Sequence, residues 1–106
     1  MEQTYTLAMS NHVKELEAEL HALTAITIER KLNRFEYRAA ERTLQIVIEA
    51  CIGVAKHWCK RINGVAPASA YQAFEKLEAH GISEVSKTNW KQIIGMRNAL
   101  VHDYLN

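Results

Sequence analysis

The feature that most limits how this chain can fold is the scarcity of residues that interrupt a helix. The 106 residues include one proline, Pro67, and four glycines, and no stretch alternates apolar and polar residues as a half-buried strand does. Apolar residues instead recur every three or four positions, which is the spacing of one helix face. The pattern predicts an all-α fold, an antiparallel bundle of four to five helices joined by short loops.

The apolar spacing, together with the residues that begin or end a helix, places four helices. We predict them over residues 5–28, 34–61 and 68–79, and from residue 88 to the chain end. Asn63-Gly64 is a stop signal for the second helix, Pro67 can open the third, and Gly81 follows the third as its C′ residue. Ser86 or Thr88 is expected to cap the last helix.

Each helix has a predicted apolar face. The first presents the narrow stripe of Leu16, Leu20, Leu23 and Ile26. The third is expected to turn Tyr71, Phe74 and Leu77 inward. The second has a broader face, which is typical of a central helix, and it consists of Leu44, Val47, Ile48, Cys51, Val54, Ala55 and Trp58.

Length and composition set outer bounds. One domain over residues 1–106 is expected from the length. No apolar run approaches the roughly 18 to 20 residues of a membrane helix, and the first residues lack the pattern of a secretory signal, so we expect a cytoplasmic protein with no membrane contact. Cys51 and Cys59 fit reduced thiols. They have no second ligand cluster to make a metal site with His57, so neither metal nor cofactor is expected.

Positive charge is concentrated in the middle of the chain. Residues 33–65 contain six Lys or Arg and three Asp or Glu, a surplus of three, while the whole chain carries a net charge of +1. Arg30, Arg34 and Arg38 recur every four residues and Arg42 drifts round the same side, which forms a basic stripe suited to an RNA backbone. The alternative is a solvated face whose arginines pair with Glu41 and neighbouring residues.

The last helix carries the polar motif Arg97, Asn98, His102 and Tyr104. At about 100° per residue, these four positions span an arc of roughly 160°. That arc is too wide for a self-contained catalytic group, yet long side chains on it can line one cleft. A second copy across a two-fold axis would place two arginines and two histidines in that cleft.

The chemistry that suits this motif is phosphodiester cleavage without a metal. Arginine matches phosphate oxygens and histidine exchanges a proton near neutral pH, while RNA brings its own nucleophile, the 2′-hydroxyl. Asn98 could orient the imidazole of His102 or bind a phosphate oxygen. The structural alternative is that Arg97 pairs with Asp103 or a neighbouring helix, with His102 on the surface and Tyr104 at the edge of the core.

Longer stretches carry a resemblance to a known family. They are "YRAAERTLQIVIEACIGVAKHW" (residues 37–58), "PASAYQAFEKLEAHGIS" (residues 67–83) and "WKQIIGMRNALVHDY" (residues 90–104). Together with the closing R-N-x-x-x-H-x-Y signature, they resemble the HepT family of toxins in the HEPN superfamily. The likeness extends over about residues 5–104, in the same order and with similar spacing.

The resemblance implies a homodimeric HEPN bundle that acts as a metal-independent endoribonuclease, the toxin of a toxin-antitoxin pair. Arg97 and His102 would be catalytic, with Asn98 in support. The partner would be a nucleotidyltransferase antitoxin of the MNT type that transfers AMP to Tyr104. A non-catalytic HEPN subunit that binds nucleotide or substrate for such an enzyme is the alternative. Family chains continue past the tyrosine, so a C-terminal segment is expected to be missing here.

Overall fold

The computed structural model describes the backbone of residues 3–105 and the side chains of residues 3–99. Within these residues the chain forms helices and no strands, so the predicted all-α fold is confirmed. The helices in chain order are α1 (Gln3–Glu29), α2 (Arg34–Asn63), α3 (Ala70–Ala79), α4 (Ser83–Ser86) and α5 (Trp90–Leu105). None of the described helices is both long enough and apolar enough to cross a membrane.

The contacts divide the chain into two compact units. One unit contains α1 and the part of α2 that ends at Val47, and the other contains the part of α2 that begins at Ile48, together with α3, α4 and α5. The long helix α2 therefore contributes to both cores. A single domain over residues 1–106 stays a prediction.

In the first unit, the α1 stripe lies where the spacing predicts. Leu16 is buried, and Leu20, Leu23 and Ile26 are half-buried. A polar contact also joins the two helices of this unit: the hydroxyl of the buried Thr43 on α2 donates to the carboxylate of Glu19 on α1 at 3.3 Å.

The turn between α1 and α2 is stabilised by a capping box. The side chain of Asn33 accepts the backbone N–H of Glu36 at 2.8 Å, and the Glu36 carboxylate accepts the backbone N–H of Asn33 at 2.9 Å. Arg30 adds two hydrogen bonds to the same carboxylate, at 2.7 and 2.8 Å. These bonds from Arg30, followed by the one from Asn33, lower the pKa of Glu36 to about 2.

The second unit has its own apolar core. Helix α3 packs against α4 and α5, and the rings of Phe74 and Trp90 stack with centroids 4.2 Å apart. The thiol of Cys59 donates to the Ala73 carbonyl at 3.3 Å. The buried apolar residues of this unit are Ile48, Ala50, Ile52, Ala55, Cys59, Ala70, Ala73, Phe74, Leu77, Val85 and Ile94.

Tyr71 is the exception to the predicted inward face of α3. Phe74 and Leu77 are buried as expected, but Tyr71 is 37% exposed. With Tyr71 set at zero, the buried α3 positions cluster about 60° to 160° away from it on the helical wheel. Tyr71 therefore lies beyond the edge of the buried face, and the prediction that it points inward is wrong.

Glycines end α2 and α3 as predicted. Gly64 and Gly81 both have φ of +80°, a left-handed conformation that side chains disfavour. The N–H of Gly64 bonds to the Lys60 carbonyl at 2.7 Å. After α3, Gly81 donates to Glu78 at 2.9 Å and Ile82 donates to Leu77 at 3.1 Å, which is a Schellman motif.

Two helix starts differ from the prediction. Ser69 caps α3 by accepting the N–H of Gln72 at 3.2 Å, so the helix begins after Pro67 and not at it. Asn89, and neither Ser86 nor Thr88, caps α5 by accepting the N–H of Gln92 at 3.2 Å. The reason is α4, a short helical turn that takes up residues 83–86 and moves the start of α5 along the chain.

Candidate functional site

The polar motif lies on the second half of α5. Positions 97, 98, 102 and 104 all fall within this helix, so the helical spacing assumed from the sequence holds for the backbone. The side chains of His102 and Tyr104 lie outside the described residues. The predicted approach of His102 to Asn98, and of Tyr104 to Arg97, therefore stays a prediction.

Arg97 is held by a carboxylate from α2. Its Nη1 donates to Oε1 of Glu49 at 2.8 Å, a direct ion pair between residues 48 positions apart. The Arg97 side chain is 22% exposed and that of Glu49 is 45% exposed. The pair is thus only partly shielded from solvent within the second unit.

The remaining donors of Arg97 are what make this arrangement chemically useful. Its Nε is buried and has no hydrogen-bond partner among the described residues. A guanidinium has five N–H donors and stays charged at any physiological pH, so one carboxylate does not exhaust it. Glu49 can fix the orientation of the fork, and a phosphate oxygen would have to bind at its Nη groups, because Nε is buried.

Glu49 was missed by the sequence reasoning, although a signal for it exists. It is the only carboxylate between Glu41 and Glu75, and it stands inside the apolar stretch "TLQIVIEACIGVA" (residues 43–55). A lone acidic residue on an otherwise apolar helix indicates a specific partner. Its partner is a residue of the motif itself, which agrees with the structural alternative that Arg97 pairs with a neighbouring helix.

The other predicted site residues with described side chains lie on α5 and near the start of α2. Asn98 is exposed on α5. Arg34, Arg38 and Arg42 are exposed near the start of α2, in the first unit, whereas Arg30 of the predicted stripe is bound to Glu36. The basic stripe predicted from their spacing is thus accessible to solvent.

The cysteines and acidic residues are the remaining candidates for metal ligands. Cys51 and Cys59 are free thiols, and burial raises the pKa of both. Among the residues whose side chains are described, no group of three or more His, Cys, Asp or Glu is arranged to hold a metal ion.

An all-helical chain with an Arg-Asn pair, a His and a Tyr at these positions of its last described helix has the features of a HEPN-type protein. A family model described as "Ribonuclease HepT-like" matches residues 9–106. The chain therefore belongs to the HepT-like ribonuclease family, and RNA is the substrate that this membership implies. Comparisons with curated proteins and with solved structures gave no match.

Proposed function

We propose that this protein is the toxin of a toxin-antitoxin pair and cleaves RNA as a metal-independent endoribonuclease. The observation that supports this most directly is that the family match includes the complete motif, whose Arg97 is anchored by Glu49. An anchored, permanently charged guanidinium suits the stabilisation of negative charge that develops on a phosphate during cleavage. The two free thiols fit a reducing cytoplasm as the site of action.

In the proposed reaction the 2′-oxygen of the substrate attacks the adjacent phosphorus, and the bond from phosphorus to the 5′-oxygen of the next nucleotide breaks. The proton of the 2′-hydroxyl leaves and a proton is delivered to the departing 5′-oxygen, so the products carry a 2′,3′-cyclic phosphate and a 5′-hydroxyl. His102 would move one or both protons. Arg97 would bind the phosphate oxygens that gain charge, and Asn98 would support the histidine or a phosphate oxygen.

We further propose that the cleft is formed by two copies of the chain. One copy supplies a single arginine and a single histidine, and the four motif positions are spread over roughly 160° of the helix surface. A two-fold axis beside α5 would add the same groups from the partner. The acid and the base could then come from different copies.

Tyr104 is the proposed point of regulation. It lies seven residues from Arg97, about two helical turns along the same face. A nucleotidyltransferase antitoxin of the MNT type would transfer AMP from ATP, with the tyrosine oxygen attacking the α-phosphorus and pyrophosphate leaving. The added negative charge beside Arg97 would occupy the phosphate site and repel RNA.

The exposed stripe of Arg34, Arg38 and Arg42 is proposed to bind the RNA backbone. Its arginines are exposed on one side of α2, where phosphates can approach them. Replacing one such arginine with alanine should reduce the slope of log affinity against log salt by about 0.7 for single-stranded RNA. An unchanged slope in both Arg34→Ala and Arg38→Ala would show that these residues do not touch the backbone.

The test of the proposed reaction is RNA cleavage by the purified protein in EDTA. The wild type should produce fragments with cyclic phosphate ends, and Arg97→Ala and His102→Ala should not. Equal activity in all three proteins would reject the mechanism. Nucleotide binding without cleavage by any of them would instead support the non-catalytic HEPN subunit.

The test of regulation is mass spectrometry after incubation with the proposed partner, the cognate MNT-type nucleotidyltransferase, and ATP. The wild type should gain mass in steps of AMP, and Tyr104→Phe should gain none. If the variant gains the same mass, another residue is the acceptor.

A further inference from the structure

The end of the first unit, where α1 passes into α2, exposes two aromatic rings. Phe35 is 77% exposed and Tyr37 is 60% exposed, although both are large enough to contribute strongly to a core. Neither is explained by the catalytic motif, because the Glu49–Arg97 pair belongs to the other unit. One exposed aromatic side chain is ordinary, but two within one helical turn and beside several arginines make a candidate binding surface.

The rings flank the arginine stripe. With Arg34 at zero on the α2 wheel, Arg38 lies near 40° and Arg42 near 80°, while Tyr37 lies near −60° and Phe35 near 100°. All five side chains are exposed. We name this surface the aromatic tip; it consists of Arg34, Phe35, Tyr37, Arg38 and Arg42.

The charge of the aromatic tip favours an anionic partner. Residues 29–42 contain five basic and three acidic side chains, a surplus of two. Glu36 lies on the opposite side of the wheel, where it is bound by Arg30. Glu41 also falls inside the arc, next to Arg42; it is only partly exposed and is already counted in the surplus of two.

Beside Tyr37 there is room for a planar group. The ring borders an open hollow of about 610 Å³ whose other walls are residues 27–32. The charged residues among them are Glu29, Arg30 and Lys31, all exposed, so the lining has a net charge of +1, which favours a phosphate next to a base in the hollow.

We propose that the aromatic tip is an accessory site for single-stranded RNA, in which unpaired bases stack on Phe35 and Tyr37 while Arg34, Arg38 and Arg42 hold the phosphates between them. Alternation of aromatic faces and cations is the arrangement by which proteins bind single strands without reading their sequence. A duplex does not fit it, because paired bases are already stacked on each other. The inference takes RNA as the ligand from the proposed function.

The experiment measures binding of a fluorescent, unstructured RNA by anisotropy, with His102→Ala in every protein so that the RNA stays intact. Phe35→Ala and Tyr37→Ala should each weaken binding by about 5- to 100-fold, the effect of losing one stacked base. Phe35→Leu should lose nearly as much RNA affinity as Phe35→Ala, although it keeps an apolar side chain. Phe35→Trp should bind RNA at least as tightly as the reference protein, which carries only His102→Ala. The matched control is Leu7→Ala, which removes an exposed apolar side chain of the same unit and should leave affinity unchanged.

Two further ligands separate stacking from charge. An abasic oligonucleotide of the same length, and an RNA duplex, should bind more weakly than the single strand to the reference protein. In Phe35→Ala and Tyr37→Ala the preference for the single strand over the abasic oligonucleotide should shrink, because these two ligands carry the same phosphates and differ only in the bases that can stack.

Unchanged affinity in both alanine variants, or equal binding of all three ligands by the reference protein, would overturn the proposal. So would a change of oligomeric state in sedimentation of Phe35→Ala, which would make the aromatic tip a contact between copies. The proposed ribonuclease activity is tested separately, by whether the wild-type protein cleaves RNA. A protein that does not cleave RNA but loses binding in Phe35→Ala still supports the site.

Discussion

Removal of the Glu49 carboxylate should impair RNA cleavage far more than it destabilises the fold. Glu49→Ala breaks the 2.8 Å ion pair with Arg97 in the second unit. A hydrogen bond between charged groups is worth about 1.5 to 3 kcal/mol when shielded, and an exposed ion pair about 0 to 1 kcal/mol. Because the Glu49 side chain is 45% exposed, we expect a loss of at most about 1 kcal/mol of unfolding free energy.

That loss corresponds to a decrease in Tm of no more than about 4–8 °C for a chain of this size. The effect on cleavage follows from a different property, the orientation of Arg97. A guanidinium that is no longer held in place meets the phosphate in many geometries, and such misplacement costs about 10- to 100-fold in rate. Glu49→Gln keeps an oxygen acceptor and should show a smaller defect in both measurements.

The assay is the rate constant of RNA cleavage at saturating protein, at a temperature well below the Tm of every variant. Glu84→Ala is the matched control, because it breaks another ion pair of the same unit, with Lys87 at 3.4 Å, where both side chains are more than 70% exposed. It should leave the rate unchanged.

A double-mutant cycle gives the decisive comparison. If Glu49 acts only through Arg97, the variant with both Glu49→Ala and Arg97→Ala should cleave no more slowly than Arg97→Ala alone. A further slowing of the double variant by the factor seen for Glu49→Ala alone would refute the reasoning. Where the cleavage rate of Arg97→Ala is too low to measure, Arg97→Gln takes its place, because the neutral amide can donate to a phosphate oxygen but forms no ion pair with Glu49.

Three other perturbations test the structure. Leu77→Ala shortens a side chain that is 2% exposed and should lower the free energy of unfolding, measured with denaturant, by about 2 to 5 kcal/mol. Val65→Ala, at a residue that is 69% exposed, should change it by less than about 0.5 kcal/mol. Equal losses in the two variants would contradict the assigned core. The pKa of Glu36 is about 2 in the folded chain against an ordinary 4.5, so its contribution to stability is present above pH 4.5 and is lost as the pH falls towards 2. The difference in unfolding free energy between wild type and Glu36→Gln should therefore shrink over that pH range. A difference that does not depend on pH would contradict the Arg30 contact. Gly95→Ala should raise stability by about 1 kcal/mol, because the added methyl position has no described atom within 4 Å apart from its chain neighbours and the backbone of its own helix. Loss of the proposed dimer in the same variant, seen by sedimentation, would instead place Gly95 in a contact between copies.

The sequence was most informative where the structure depends on neighbours along the chain. The helical period, the scarcity of helix-breaking residues and the positions of Gly64 and Gly81 predict the long helices and the ends of α2 and α3, and the structure confirms them. These features are set by hydrogen bonds and backbone conformations within about five residues. The same holds for the placement of the motif on one helix.

Prediction was weaker where several local solutions compete. Ser86, Thr88 and Asn89 are all acceptable caps within a few residues, and the choice of Asn89 depends on whether residues 83–86 form a separate turn. The spacing of Tyr71 from Phe74 and Leu77 is compatible with one inward face, but in the folded chain Tyr71 lies beyond the edge of the buried face.

By itself, the sequence determined an all-α chain, the long helices with their glycine ends, and a helical polar motif that resembles one ribonuclease family, to which the family match assigns the chain. Only the tertiary structure decided that Glu49 meets Arg97 and that Phe35 and Tyr37 stay exposed. The physical reason is that periodicity shows which face of a helix is apolar, but not which residue of a distant helix lies opposite it. The Glu49–Arg97 pair joins residues 48 positions apart, and such a contact exists only after the intervening helices and turns have packed.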